Sequence, residues 1–394
     1  MNPLIRQFRD FFVSLRLTVV LLALSIILIF AATLDQVNLG VWAVQQKYFQ
    51  TFFVLWKFGE VPVPIFPGGY FIGGLLFINL IAAHVYRFKM TWRKSGIFLT
   101  HLGLILLLVG ELLTGLMQED YQMRLEEGQT KNYSESYQYY ELAITDTTDA
   151  NFDDVVVIPK EIIARGDVIQ HPKLPFRVVP KGFFPNVDLT RRSDAPNAPA
   201  SIATTGFGPN FVVTPVAFNY KPDAVNVPAA FIELVGPEGS IGTWLTTYLP
   251  PQFMVMPPQT FSYGGRSWKI ALRPVRAYKP FALTLLKFSH DVYAGTDIPK
   301  NFSSRVKLTT PDGRDDREVL IYMNNPLRYA GLTFFQASFE EGNDHVTILQ
   351  VVRNPSWRLP YVACVMMAVG LVIQFGIHLI GFLRKRRAAA AAVA

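Results

Sequence analysis

The sequence predicts an integral membrane protein with four transmembrane α-helices and a large, mostly antiparallel β extracytoplasmic domain. Half of the 394 residues are hydrophobic and only 17% are charged, which is unusual for a soluble protein. The apolar residues are concentrated in four runs, each close to the roughly 20 residues that a helix needs to cross a bilayer. The long stretch between the third and fourth runs has an ordinary soluble composition.

The four predicted spans are residues 17–34, 70–86, 97–117 and 359–383. The first is interpreted as a span rather than a signal peptide, because no small-x-small cleavage site follows it. The chain then divides into a membrane part (1–117), an extracytoplasmic β-rich domain (118–357) and a last part (358–394) with the fourth span and a basic cytoplasmic tail.

Lysine and arginine residues predict the orientation of these spans. They cluster at the N-terminus, in the segment 87–94 between spans two and three, and in 384–387 after span four. Four spans bring all three segments to one side, which the positive-inside rule assigns to the cytoplasm. We therefore expect a multi-pass protein of the bacterial inner membrane, in contact with the lipid bilayer, with both termini cytoplasmic. The net charge of +7 is largely this signal, and without an aromatic-laced basic stripe we expect no nucleic-acid partner.

The external loop, residues 35–69, contains the aromatic segment GVWAVQQKYFQTFFVLWKFG (40–59). We expect an interfacial amphipathic helix there, with its aromatic side chains at the level of the lipid headgroups. The alternative is a loop packed on the exported domain. The prolines of VPVPIFPGG end any helix before span two.

The exported domain is predicted to consist of short strands. Segments rich in β-branched and aromatic residues, such as ELAITD, FRVVP, AAFIELV, WKIALRPV, RVKLTT and EVLIYM, alternate with Gly, Pro, Asn and Asp, as in strands joined by turns. PDGRDD indicates a hairpin turn. An antiparallel sandwich or open barrel is expected, with a long loop over residues 186–210.

Several chemistries are excluded by the motifs. The single cysteine, Cys364, lies in span four, so the chain has no internal disulfide, CxxC redox pair or CxxCH haem-attachment site. It also has no nucleophile elbow, phosphate-binding glycine loop or HExxH motif. No catalytic residue is therefore assigned.

Three of the six histidines, His84, His101 and His378, lie in predicted spans. Each is three to seven residues from a cytoplasmic basic residue, which corresponds to a depth of roughly 5–10 Å along a helix. Neutral imidazole can ligate haem iron, and His101 is the histidine that is hardest to explain otherwise. The alternatives for each are an interhelical hydrogen bond or snorkelling to the interface.

The basic segment after span two lies close to these histidines. Its residues Arg87, Arg93 and Lys94 are candidates for pairing with haem propionates, because guanidinium and ammonium groups bind carboxylates.

Four segments resemble the ResB family, also called CcsB, of System II cytochrome c biogenesis. They are KPFALTLLKFSHDVYAGTDIPKNFSSRVKL (279–308), YMNNPLRYAGLTFFQASFE (322–340), IFPGGYFIGGLLFINLIAAHVYRF (65–88) and the HLGLILLLVG of span three. The resemblance covers the four-span topology with its large domain before span four.

This resemblance implies one subunit of a cytochrome c synthase, which exports haem b and attaches it covalently to apocytochrome c. The implied partner is a CcsA-type membrane protein, and the dispersed tryptophans indicate the unfused form, without the tryptophan-rich motif of that partner. His101 best matches the family's transmembrane haem ligand, with His84 and His378 as weaker candidates and a second axial ligand from the partner. The chain would be a co-catalytic or non-catalytic subunit of the haem lyase complex.

Two other functions stay open. The chain could be a structural assembly factor that presents apocytochrome c without binding haem, its histidines only joining helices. A cytochrome b-like electron carrier is disfavoured, because each span offers a single histidine at most and no second haem layer is available.

Overall fold

The computed structural model describes residues 3–59, 61–219, 225–249, 256–292, 295, 299–340 and 342–393. They form two compact units: a helical unit built from the segments before residue 119 and from residue 354 onward, and a strand-rich unit between them. The helices are α1 (Pro3–Phe12), α2 (Leu15–Val44), α3 (Gly69–Ala82), α4 (Ser95–Met117), α5 (Lys160–Arg165) and α6 (Leu359–Val393).

Four helical segments of the described chain are long and apolar enough to cross a membrane. They are Leu15–Val41, Gly69–Arg87, Trp92–Met117 and Leu359–Ala391, and they confirm the four spans predicted from hydropathy. The chain is therefore a membrane protein with a large antiparallel β unit.

A face of α4 with three glycines determines how closely α4 and α6 approach. Gly96, Gly103 and Gly110 are all buried and recur every seven residues, so they lie on one side of the helix. A Cβ atom added to Gly96 would lie 2.5 Å from the Gly370 carbonyl oxygen, and one on Gly103 would lie 2.7 Å from Met367 Cγ. The two antiparallel helices thus pack backbone to backbone, as small residues permit in membranes.

Of the segment 40–59, which was predicted to be an interfacial helix, only the part up to Phe49 is helical in the structure. Helix α2 continues to Val44 with an interruption at Gly40, and a π-helical turn follows at Gln45–Phe49. The chain then forms a hairpin of β1 (Phe53–Phe58) and β2 (Val61–Pro67). The prolines of β2 exclude a helix there, and FVLWKF, which reads equally well as helix or strand, becomes the partner strand.

The strand-rich unit contains fifteen strands in its described part. They are β3 (Glu119–Glu126), β4 (Thr130–Asp146), β5 (Asp154–Pro159), β6 (Arg177–Phe184), β7 (Val187–Arg191), β8 (Phe211–Pro215), β9 (Ala229–Gly236), β10 (Gly239–Thr247), β11 (Gln259–Tyr263), β12 (Arg266–Val292), β13 (Pro299–Thr309), β14 (Asp316–Tyr322), β15 (Leu327–Tyr329), β16 (Leu332–Glu340) and β17 (Asn343–Arg353). The predicted strands are found, and the predicted loop 186–210 differs in that its start is strand β7.

The main sheet is antiparallel, with the order β14-β13-β12-β4-β3-β17-β16-β15, and β11 and β5 pair with β12 and β4. A second sheet has the order β10-β9-β6, and β7 pairs with β8. The unit has two large cores. One lies among β4, β5, β12 and the second sheet around Trp244 and Trp268; the other involves β3, β12, β13, β16 and β17 around Phe281 and Phe334. A smaller cluster surrounds Leu245.

Strand β12 is 27 residues long and contributes to both cores. Its register with β4 shifts between Pro274 and Arg276 and again between Tyr278 and Leu283. Proline lacks the N–H that a central strand needs, so it is tolerated only where pairing is interrupted. Pro274 and Pro280 lie at these two shifts and mark the passage of the strand from one core to the other.

Candidate functional site

The structure brings together two of the three predicted intramembrane histidines. His84 lies in a π-helical turn, Ala83–Arg87, that continues α3, and His101 lies on α4. Their ring centroids are 4.9 Å apart and the rings meet edge to face at 76°. His101 precedes Gly103 by two residues, so the two side chains are about 200° apart around the helix. Because the glycine side of α4 packs on α6, His101 lies on the opposite side and faces α3.

Hydrogen bonding fixes the orientation of His84. Its Nδ1 donates to the Leu80 carbonyl at 3.2 Å, so Nε2 carries the free lone pair. His84 Nε2 and His101 Nδ1 are both buried, and neither has a hydrogen-bond partner in the described part of the chain. An unpartnered buried polar atom is costly, and a π-helical turn is often found at functional sites. The pair is thus suited to receive a ligand with an electron-poor centre, such as a haem iron.

Aromatic side chains border the two histidines. Phe88 stacks on His84 with ring centroids 5.2 Å apart, and Phe98 lies 6.1 Å from the same imidazole. Neither residue is among the candidates predicted from the sequence. Their spacing was a usable signal, because Phe88 follows His84 by four residues and Phe98 precedes His101 by three, the separations at which helical side chains are neighbours. These rings give the pair an apolar border that suits a porphyrin.

The third candidate, His378, lies apart from this pair. It is exposed on α6, and the Gln374 amide donates to its Nε2 at 2.9 Å. The two residues share one side of the helix, as the spacing of four predicts, but no ring contact joins His378 to the other histidines within the described residues. Because its Nε2 lone pair is engaged, His378 is less suited to bind iron than His84.

The three basic residues predicted to pair with haem propionates have exposed side chains in the structure. Arg87 ends the π-helical turn of His84, and Arg93 and Lys94 lie in the short 3₁₀ turn Trp92–Lys94 before α4. All three are exposed, and none of them forms an ion pair with another described residue. A ligand near the two histidines that carries carboxylates would find cations at this end of the helices.

The strand-rich unit has no comparable cluster. Within its described residues no group of three or more His, Cys, Asp or Glu side chains could hold a metal ion. His345 pairs with Glu127 at 2.9 Å, and His290 lies 3.7 Å from Asp344 and packs on Phe339 with ring centroids 4.2 Å apart. These histidines make contacts within the fold.

Comparison with known proteins points to one family. Residues 259–348 match the model of the ResB-like family, a range that begins at β11 and includes both exported motifs. The chain is also 25% identical over 301 residues to Protein NrfI of Wolinella succinogenes; the match covers 76% of this chain and 29% of that protein. The chain thus spans less than a third of the length of that relative. These matches confirm the resemblance found in the sequence, and the segment that matches the ResB-like family lies in the strand-rich unit.

Proposed function

We propose that this chain acts in cytochrome c biogenesis as the haem-handling subunit of a cytochrome c synthase, together with a CcsA-type membrane protein. The ResB-like match supports the pathway. The observation that carries haem handling is the contact of His84 with His101, each with a buried nitrogen that has no partner among the described residues. Haem b is the cargo, and apocytochrome c is its acceptor.

His84 is the better-oriented ligand of the pair. The bond from Nδ1 to Leu80 holds its ring and leaves Nε2 free, the arrangement that ligating histidines usually have. His101, ranked first from the sequence, lies against it and can ligate in its place or hold its orientation. Arg87, Arg93 and Lys94 supply charges for the two propionates.

The second axial ligand is proposed to come from the partner. Two rings that touch at 4.9 Å between centroids leave no space for a porphyrin between them, so both cannot ligate opposite faces of one haem in this arrangement. A CcsA-type protein that offers a histidine to the other face would complete the site. We therefore expect haem binding to depend on the partner.

In this proposal the chain lies in the bacterial inner membrane, with both termini in the cytoplasm and the strand-rich unit in the periplasm. The basic segments at 87–94 and 384–387 support this orientation. Labelling of single cysteines placed at Arg93 and at Asp312, with a reagent that does not cross membranes, tests it in intact cells. The experiment uses a chain in which Cys364 has been replaced by alanine. The cysteine at position 312 should react with the reagent, and the cysteine at position 93 should not.

A structural assembly factor is the second candidate, and one observation favours it. The family match lies entirely in the strand-rich unit, whose described residues hold no cluster of metal ligands. That unit could present apocytochrome c while His84 and His101 only join two helices. The two candidates differ in whether the histidines are needed for bound haem.

The deciding experiment measures haem by absorption and by the pyridine haemochrome in the purified full chain, with and without a co-expressed CcsA-type partner. His84→Ala and His101→Ala should each reduce haem in the complex, whereas His378→Ala, the matched control, should not. His84→Gln keeps a hydrogen-bonding side chain but ligates iron poorly, so it should lose haem while the helices stay packed. If all the variants retain haem, the chain is a scaffold and the partner holds the haem.

A further inference from the structure

The hairpin of β1 and β2 exposes an apolar face that the helical bundle does not cover. Trp56 lies opposite Val63, and Phe58 lies opposite Val61; since residues two apart share a side of a strand, these four side chains form one face, here called the hairpin face. Their exposed fractions are 52%, 36%, 63% and 62% in the order given. A contiguous apolar patch of this kind marks a contact with lipid or protein.

Both ends of the hairpin are held at one end of the membrane helices. Val54 is buried at its base, and Phe53 packs on Phe71 of α3 at 5.3 Å between ring centroids. Gly68 lies so close to Thr51 that an added Cβ atom would clash with the Thr51 carbonyl oxygen. The turn that connects α2 to the hairpin supplies Lys47, whose Nζ lies 5.6 Å from the Trp56 ring. The exposed face is therefore continuous with helices that are long and apolar enough to cross a membrane.

The backbone of β2 is adapted to a surrounding with little water. Hydrogen bonds alternate along an antiparallel pair, and Pro62 and Pro64 have no N–H, so Val61 and Val63 are the residues that can donate to β1. The residues of β2 whose backbone groups point away from β1 are therefore Pro62 and Pro64. At these positions the outer edge of β2 has no unpaired N–H group. Backbone donors without partners are what excludes open sheet edges from lipid. The outer edge of β1 keeps its N–H groups, which suits the headgroup region, where phosphate and ester oxygens accept hydrogen bonds.

From these features we propose that the hairpin face of Trp56, Phe58, Val61 and Val63 inserts into the lipid interface at the end of the bundle where α2 ends and α3 begins. The ligand is a phospholipid surface, with the four side chains at the boundary of headgroups and acyl chains, while Lys47 beside Trp56 is ion-paired with Asp35 at 2.6 Å. Tryptophan and lysine side chains commonly occupy this depth. This inference is independent of haem binding.

The test uses single cysteines labelled with an environment-sensitive fluorophore, in the full chain reconstituted into phosphatidylcholine nanodiscs. Cys364 is the chain's single cysteine and is exposed on α6, so the wild-type chain gives the reference for a lipid-facing label. In a Cys364→Ala background, cysteines are introduced as Val61→Cys and Val63→Cys on the hairpin face, and as Asp312→Cys in the exposed β13–β14 turn.

We expect the labels at positions 61 and 63 to have blue-shifted emission and to be quenched by spin-labelled lipid, more strongly by a label near the headgroup than by one near the chain end. The label at position 312 should be quenched only by aqueous iodide. Quenching of the hairpin labels by iodide alone would overturn the proposal. Shielding from both quenchers would also overturn it and would assign the face to a protein contact.

Discussion

Lys279 offers a quantitative test of how the strand-rich unit is stabilised. Its side chain is buried, and its Nζ donates to Ser134 Oγ at 2.6 Å and to the Ala277 carbonyl at 3.0 Å. No carboxylate forms an ion pair with it within the described residues. Burial lowers the pKa of Lys279 from 10.5 to about 8. At neutral pH this corresponds to a cost of about 3 kcal/mol for keeping the ammonium charged in the folded state.

We therefore expect Lys279→Met to stabilise the chain. The substitution keeps the aliphatic stem and removes the buried charge, but it also leaves the Ser134 hydroxyl with fewer partners, so the net gain at pH 7 should be on the order of 1–3 kcal/mol. The folded-state pKa lies below the unfolded value, so the unfolded wild-type chain binds more protons between about pH 8 and pH 10.5. Wild-type stability should rise with pH relative to the variant across that window, and above it the stabilising effect of the substitution should be lost.

The assay is guanidinium-induced unfolding of the full chain in detergent, followed by tryptophan fluorescence, since Trp244 and Trp268 are buried in the strand-rich unit. Lys287→Met, at an exposed position of the same strand, is the matched control and should leave the free energy of unfolding nearly unchanged. A destabilised Lys279→Met variant whose pH dependence equals that of the wild type would refute the reasoning, because the ammonium would then be favourably paired.

Three further predictions concern packing and pH. Gly103→Val should force α4 away from α6 and cost about 1–3 kcal/mol in a thermal unfolding measurement, whereas Gly115→Val, where an added Cβ meets open space, should be tolerated. Asn79→Ala removes a buried amide that donates to two backbone carbonyls of the α1–α2 connection, and it should lower the thermal midpoint by the equivalent of about 1–3 kcal/mol. The backbone N–H of Phe288 and the ring of His345 lower the pKa of Glu127, so its contribution to stability is present above the ordinary glutamate pKa and is lost as the pH falls through the lowered value. Acid unfolding curves of Glu127→Gln should show a weaker loss over this range, and an unchanged curve would contradict the assignment.

The sequence was most informative where one physical effect dominates. Hydropathy alone predicts four spans, because a bilayer requires about 20 apolar residues whatever the tertiary context. Their similar depth predicts that His84 and His101 lie at one level of the membrane. Depth does not determine which side of its helix each residue occupies. Their contact depends on the glycine packing of α4 against α6 and on the π-helical turn that carries His84, and neither follows from hydropathy.

The hairpin shows where local patterns are insufficient. FVLWKF is a short apolar run, and its periodicity does not distinguish helix from strand. Its conformation is decided by the pairing of Phe53–Phe58 with the proline-containing Val61–Pro67. The prolines predict the end of a helix, but alternating prolines that leave every second N–H in place are also compatible with an edge strand.

The pairing of β3 with β17 has a consequence for biosynthesis. β3 is the first strand of its unit, and it pairs along its whole length with β17, the last strand. During synthesis most backbone donors and acceptors of β3 therefore stay unpaired until β17 has been made, which is nearly the entire unit later. Such distant pairings form slowly and leave strand edges open to aggregation. The newly made chain should be most vulnerable to proteases and most dependent on chaperones in the interval before β17 arrives.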